Sequence, residues 1–184
     1  MEAVEIFRFF GLLSFLTLAV GIGFIIRRWG KVSILSLSKH AARQQESRMI
    51  FAVSLTLSIV LFGLFGFGWL VPALQLGVGY GVLLGLALGC ALVAGLVADA
   101  GGWQGRVHGV TAWTMAVCMP LLIGGLLIAP RVGVAAKFFL AIILSYLVFD
   151  WVLFTFARWS RKFFLIFQAS YVLCFYLAML LVAI

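Results

Sequence analysis

The stretch "VAAKFFLAIILSYLVFDWVLFTFA", residues 134–157, holds one lysine, one aspartate and no proline or glycine. A run this long and apolar is what a helix needs to cross a hydrocarbon layer of about 30 Å at about 1.5 Å per residue. Five more runs of the same kind fill most of the chain, and that repetition constrains the fold more than any motif. Only helices and closed barrels satisfy every backbone polar group in lipid. The runs are continuous rather than short and alternating, so helices are expected. Of the 184 residues, 66% are hydrophobic and 10% charged. A soluble domain carries about 25% charged residues to cover its core.

The expected fold is therefore all-α, an integral membrane bundle of six transmembrane helices forming one domain over residues 1–184. The spans run from about Val4 to Ile26, Met49 to Val71, Leu76 to Ala98, Val107 to Ala129, Val134 to Ala157 and Phe163 to Ile184. The first reads as a retained membrane helix rather than a cleaved signal peptide. Glu2 and Glu5 stand where a basic cluster would be, and the apolar run is too long. Cys90, Cys118 and Cys174 fall inside spans with no paired spacing, and read as small packing residues.

A net charge of +8 in a soluble chain would point to nucleic acid. Here the charges sort by loop, and no nucleic-acid partner is expected. Arg27, Arg28, Lys31, Lys39, Arg43 and Arg48 follow the first span, Arg106 follows the third, and Arg158, Arg161 and Lys162 follow the fifth. The opposite face carries only Arg8, Arg131 and Lys137. The positive-inside rule predicts that the richer face is cytoplasmic and both termini are not. Trp29, Trp103, Trp159 and Trp69 sit at span ends, where interfacial anchors are expected. The basic loop "KVSILSLSKHAARQQESR" reads as a topology signal, and Val32, Ile34, Leu35 and Leu37 give it a surface that can dip into the headgroups.

Gly77, Gly81, Gly85 and Gly89 recur every four residues on the third span, a repeated GxxxG. Such a stripe lets helix backbones approach closely in lipid, and packing within the chain is its expected use, with a contact between copies as the alternative. Pro120 falls in the middle of the fourth span and is expected to kink it or free a carbonyl. Gly63, Gly66 and Gly68 interrupt the far end of the second span before Pro72.

Asp150 is the residue that asks for an explanation. It lies about eight residues before Arg158, so roughly 12 Å inside the span. A carboxylate at helix centre costs about 2.5–3.5 kcal/mol on insertion scales, so such groups face the bundle interior with partners. Thr17, Ser54, Ser58, Thr111, Thr114, Gln168, Ser170 and Tyr171 fall at the same depth on other spans. Each serine or threonine alone can bond its own helix. Together with Asp150 and Gln168 they suggest a polar pocket opening near His108, with Asp150 at its floor and Tyr171 or Gln168 as its partners. The segment "DAGGWQGRVHG" adds Asp99 and His108 as a candidate ligand-binding or proton-handling pair, although a plain glycine-rich turn explains it as well. Motifs of hydrolases, P-loops and metalloproteases are missing, so no catalytic residue, metal or cofactor is expected.

The third-to-fourth connection ends in "HGVTAW", His108 to Trp113. With the six-span plan, this resembles the DRAM-like and Sfk-like six-helix membrane proteins and their prokaryotic relatives. Asp99 and His108 match the places of a recurring acidic residue and histidine in that group. The first loop of the family usually lies on the non-cytoplasmic side, whereas the six positive residues here favour the cytoplasm. The resemblance implies a lipid-related or regulatory membrane role. The expected function is thus non-enzymatic: binding a lipid, a small amphiphile or a membrane-protein partner, a second copy included. A small transporter or channel subunit using Asp150 is the alternative, and an intramembrane enzyme a third reading.

Overall fold

The computed structural model describes residues 2–29, 45–97, 101–156 and 164–183. Asp99 and residues 31–44 of the first loop, including Val32, Ile34, Leu35, Leu37, Lys39 and Arg43, lie outside the described residues. So do Arg158, Trp159, Arg161 and Lys162.

All six expected helices are present. They are α1 (Glu2–Trp29), α2 (Gln45–Ala73), α3 (Val78–Leu96), α4 (Gly102–Ile128), α5 (Val134–Phe156) and α6 (Phe164–Leu181). The first five are long and apolar enough to cross a membrane. Arg27 and Arg28 occupy the last turn of α1 and Glu46 the first turn of α2, each at the helix end whose dipole favours its charge. Neighbours in sequence pack as neighbours in space, and α6 returns to α1 to close the ring, with a further contact between α4 and α6. Short connections make successive helices antiparallel. The ends of α1, α3 and α5 therefore share one face of the bundle, called here the Arg28 face.

α1 and α2 form the most extensive pair. Its seam is built from small residues: Gly11, Ser14 and Gly21 on α1, and Ser47, Ser54 and Ser58 on α2. A Cβ placed on Gly21 would collide with the side chain of Ser54, which is too short to move aside. The stripe Gly77, Gly81, Gly85 and Gly89 does not serve this purpose, which corrects the expectation of packing within the chain. A Cβ at Gly77 or Gly89 meets nothing within 4 Å, and at Gly81 and Gly85 it touches only the Phe67 ring at 3.8 and 3.7 Å. The reason is the phase of α3. Leu84 and Ala87 turn inward, which leaves the glycines on the outer face beside exposed Val78 and Val82.

α2 changes character near its far end. It is α-helical over Gln45–Phe65, π-helical over Gly66–Leu70 and α-helical again over Val71–Ala73. The Val71 amide bonds the Gly66 carbonyl, one residue further back than in an α-helix. Gly66 and Gly68 lie close to Leu84 and Phe7, so a bulkier residue at either site would press on α3 or α1. After Ala73 the chain ends the helix with paired backbone bonds, Leu76 N to Val71 O at 2.9 Å and Gln75 N to Pro72 O at 3.2 Å. This is the Schellman arrangement, with Gln75 rather than glycine at the left-handed position (φ 53°). Arg131, in the α4–α5 turn, donates to the Ala73 carbonyl at 3.0 Å and so satisfies a group the helix end leaves open.

An aromatic column fills the centre. Phe62 and Phe65, both fully buried, meet Tyr176 and Trp69 at ring separations of 5.0 and 5.6 Å. Trp69 is 7% exposed, with Arg8 5.7 Å above its ring, so it is a core residue and not the interfacial anchor expected from its position. Trp103 is exposed, as an anchor should be.

Candidate functional site

Pro120 sits inside α4 and has no amide hydrogen. The carbonyl four residues earlier, on Ala116, is therefore left without its helical partner. Tyr171 of α6 fills that vacancy, its hydroxyl donating to Ala116 O at 2.6 Å. One bond thus ties the mid-helix defect of α4 to α6 and fixes the Tyr171 ring as a wall between them.

Beside that wall lies a cavity of about 140 Å³ enclosed by α4, α5 and α6. Asp150 lines it from α5, Gln168 and Tyr171 from α6, and Trp113 from α4. Trp151 and Phe154, the neighbours of Asp150 on α5, complete an aromatic rim. The Trp113 ring stands 6.2 Å from both the Trp151 and the Phe154 rings. Trp113 and Trp151 are 44% and 38% exposed, so the rim faces the outside of the bundle. Asp150 itself is 3% exposed, and its Oδ1 has no hydrogen-bond partner among the described residues. Among the described residues no lysine, arginine or histidine lines the cavity.

A second cavity of about 90 Å³ occupies the bundle interior towards the Arg28 face. It is walled by apolar side chains such as Leu18, Leu84 and Phe175, with His108, Gln168 and Tyr176 as its polar members. Ala112, Met115, Gln168 and Val172 line both cavities and form the partition between them.

No family model matches this chain, and no curated protein or solved structure matches it either. The DRAM-like resemblance therefore gains no support from these comparisons, and the site has to be read from its own geometry.

The expected polar pocket is only partly assembled. Asp150, Gln168 and Tyr171 do meet in one cavity. Tyr171 does not partner Asp150, because its proton goes to the carbonyl that Pro120 exposes. His108 lines the other cavity, not the one holding Asp150. Its Nδ1 lies 2.8 Å from Ala94 O and 3.1 Å from Val97 O. Both partners are acceptors, so the proton is on Nδ1 and the ring caps the end of α3. Thr111 and Thr114 bond back to their own helix, to Val107 O and Val110 O at 2.9 Å each, and line neither cavity. Their hydroxyls are spent on α4. Among the described residues no group of His, Cys, Asp and Glu could hold a metal ion.

One polar cluster escaped the sequence reading. Ser14 of α1, Ser58 of α2 and Tyr176 of α6 are all buried, and their hydroxyls form a closed set. Ser58 Oγ is 2.7 Å from Tyr176 Oη and 2.9 Å from Ser14 Oγ, and each serine also donates to or approaches the backbone of the other helix. This cluster is satisfied from within; Asp150 is not. The available signal was the heptad-like spacing of small residues on α1 and α2, which marks a tight seam where short hydroxyls can reach across.

Proposed function

We propose that this chain is a non-enzymatic, multi-pass membrane protein that binds a small amphiphile in the Asp150 cavity, entering from the lipid side between α4 and α5. One observation carries the reading: a buried carboxylate oxygen of a cavity-lining residue has no hydrogen-bond partner among the described residues. Burying such a group without a hydrogen bond is costly, and natural folds retain it where something else binds. The cavity is close to the ~150 Å³ that holds a benzene-sized molecule. The exposed Trp113 and Trp151 rim leaves room for an attached chain to lie in the bilayer. No nucleophile, metal site or acid–base pair accompanies Asp150 among the described lining residues, which favours binding over catalysis.

The test is mass spectrometry of small molecules that co-purify with the protein from its membrane. Wild type should carry a stoichiometric amphiphile. Ala112→Phe, which fills the partition, and Asp150→Asn, which keeps the shape, should both lose it. A ligand retained by both variants would place binding elsewhere.

A transporter reading draws on the partition. Only Ala112, Met115, Gln168 and Val172 separate the Asp150 cavity from the inner one. Movement of Met115 and Gln168 would join them into a route towards the Arg28 face. Uptake of the identified amphiphile into proteoliposomes, lost in Ala112→Phe, is the distinguishing result. On either reading the Arg28 face is cytoplasmic and both termini are non-cytoplasmic, from the distribution of Lys and Arg.

A further inference from the structure

The chemistry of the cavity specifies more than an amphiphile. We infer that the Asp150 cavity takes a protonated organic amine, with the ammonium on Asp150 Oδ1 and an apolar or aromatic body against Trp113, Trp151 and Phe154. This rests on the binding reading above and names its ligand class.

Four features select the class. The unpartnered Oδ1 needs a hydrogen-bond donor, and a carboxylate is best matched by a donor that is also a cation. The rings of Trp113, Trp151 and Phe154 stand together at the rim, and aromatic faces attract a cation within about 6 Å. Among the described residues no Lys, Arg or His lines the cavity to receive a phosphate or carboxylate, which favours a cationic over an anionic ligand. Its size suits one ring or a small alkyl ammonium and not a whole phospholipid headgroup. A substituted ammonium also loses less hydration on entry than a primary one, which suits a site whose unpartnered buried acceptor is Asp150 Oδ1. Asp150 lies about six residues, or roughly 9 Å, from the end of α5, so the amine would sit below the headgroups with its body in the hydrocarbon.

Two sources supply this chemistry: a free lipophilic amine, or the ammonium of a lipid such as ethanolamine phospholipid. The lack of a cation for the lipid phosphate among the described lining residues favours the free amine.

Calorimetric titration of the purified protein in neutral detergent separates these cases. The probes are N,N-dimethylbenzylamine, protonated at neutral pH, and isobutylbenzene, its uncharged isostere. The amine should bind wild type at least tenfold more tightly than the isostere. Asp150→Asn should abolish that preference while leaving isostere binding unchanged, and Trp113→Leu should weaken the amine more than the isostere. Equal binding of amine and isostere, with both lost in Ala112→Phe, would overturn the inference and leave the amphiphile reading standing. Failure of both probes to bind would overturn the two together. A lysophosphatidylethanolamine that displaces the amine from wild type, and binds Asp150→Asn at least tenfold more weakly, would uphold the ammonium chemistry and make a lipid its source.

Discussion

The hydroxyls of Ser58 and Tyr176 lie 2.7 Å apart across the buried contact of α2 with α6, and Ser14 of α1 completes the set. The hydrophobic effect does little to hold helices together once all are in lipid, so packing and bonds of this kind must. Tyr176→Phe removes one member and leaves the two serines to each other. It should cost about 0.6–1 kcal/mol. Ser58→Ala leaves the Tyr176 hydroxyl only its longer 3.4 Å contact with Ser14 Oγ and should cost more, about 1–3 kcal/mol. Unfolding in mixed detergent micelles measures both, and a reversed order would mean that Tyr176 finds another acceptor.

Asp150 should behave in the opposite sense. Its Oδ1 has no hydrogen-bond partner among the described residues, so removing the carboxylate strands no such partner. In the ligand-free protein Asp150→Leu and Asp150→Asn should both raise the unfolding temperature, Leu by the equivalent of about 1–3 kcal/mol. Ligand binding should be lost with Leu. Loss of stability in both variants would show that the carboxylate has a structural partner.

For the glycines the contrast is between two helices. Gly21→Ala should destabilise by about 1–3 kcal/mol, because its new methyl meets Ser54 at the α1–α2 seam. Gly85→Ala and Gly89→Ala should leave the monomer's unfolding temperature unchanged or slightly higher, since alanine is the better helix former by about 1 kcal/mol. Size-exclusion chromatography with light scattering reports the rest. Loss of a larger species in Gly85→Leu, with the monomer intact, would assign the stripe to a contact between copies.

The bond from Tyr171 to Ala116 and the proline behind it should be coupled. Tyr171→Phe should cost about 1–2 kcal/mol in wild type, by exposing a buried carbonyl. In Pro120→Ala the helix can satisfy that carbonyl itself, so the same change should cost less. A double-mutant cycle reads the difference, and strict additivity would dissociate the two residues.

Orientation has its own measurement. Cysteines introduced at Lys39 and at the C-terminus, in a background without Cys90, Cys118 and Cys174, should react differently with an impermeant maleimide. Only the C-terminal site should label in intact cells. The reverse pattern would turn the bundle over.

Much of the architecture was legible because lipid is an undemanding reader: length and apolarity alone delimit α1 to α6. Depth was legible too, so Asp150, Gln168 and Tyr171 were expected together and do line one cavity. Direction around each helix was not. The glycine stripe of α3 and the threonines of α4 have the right depth and the wrong azimuth. In a chain where nearly every residue is apolar, no polar face reveals which side turns inward. The Pro120 consequence was half legible: a freed carbonyl follows from one residue, but its taker, Tyr171, sits on a helix far away in sequence.

The π-helical stretch of α2 also sets where this helix can lose a residue. Gly66–Leu70 holds one residue more than an α-helical path would use. Deleting one of those five would let α2 run as a regular α-helix, with the residues after it close to their present direction. Elsewhere in α2 a deletion meets no such slack and would turn everything after it by about 100°. The Ala73 carbonyl would then swing away from Arg131. The stretch is therefore a length register: it takes up the one residue by which the path from the Ser54–Ser58 seam to the turn that Arg131 holds exceeds a plain α-helix.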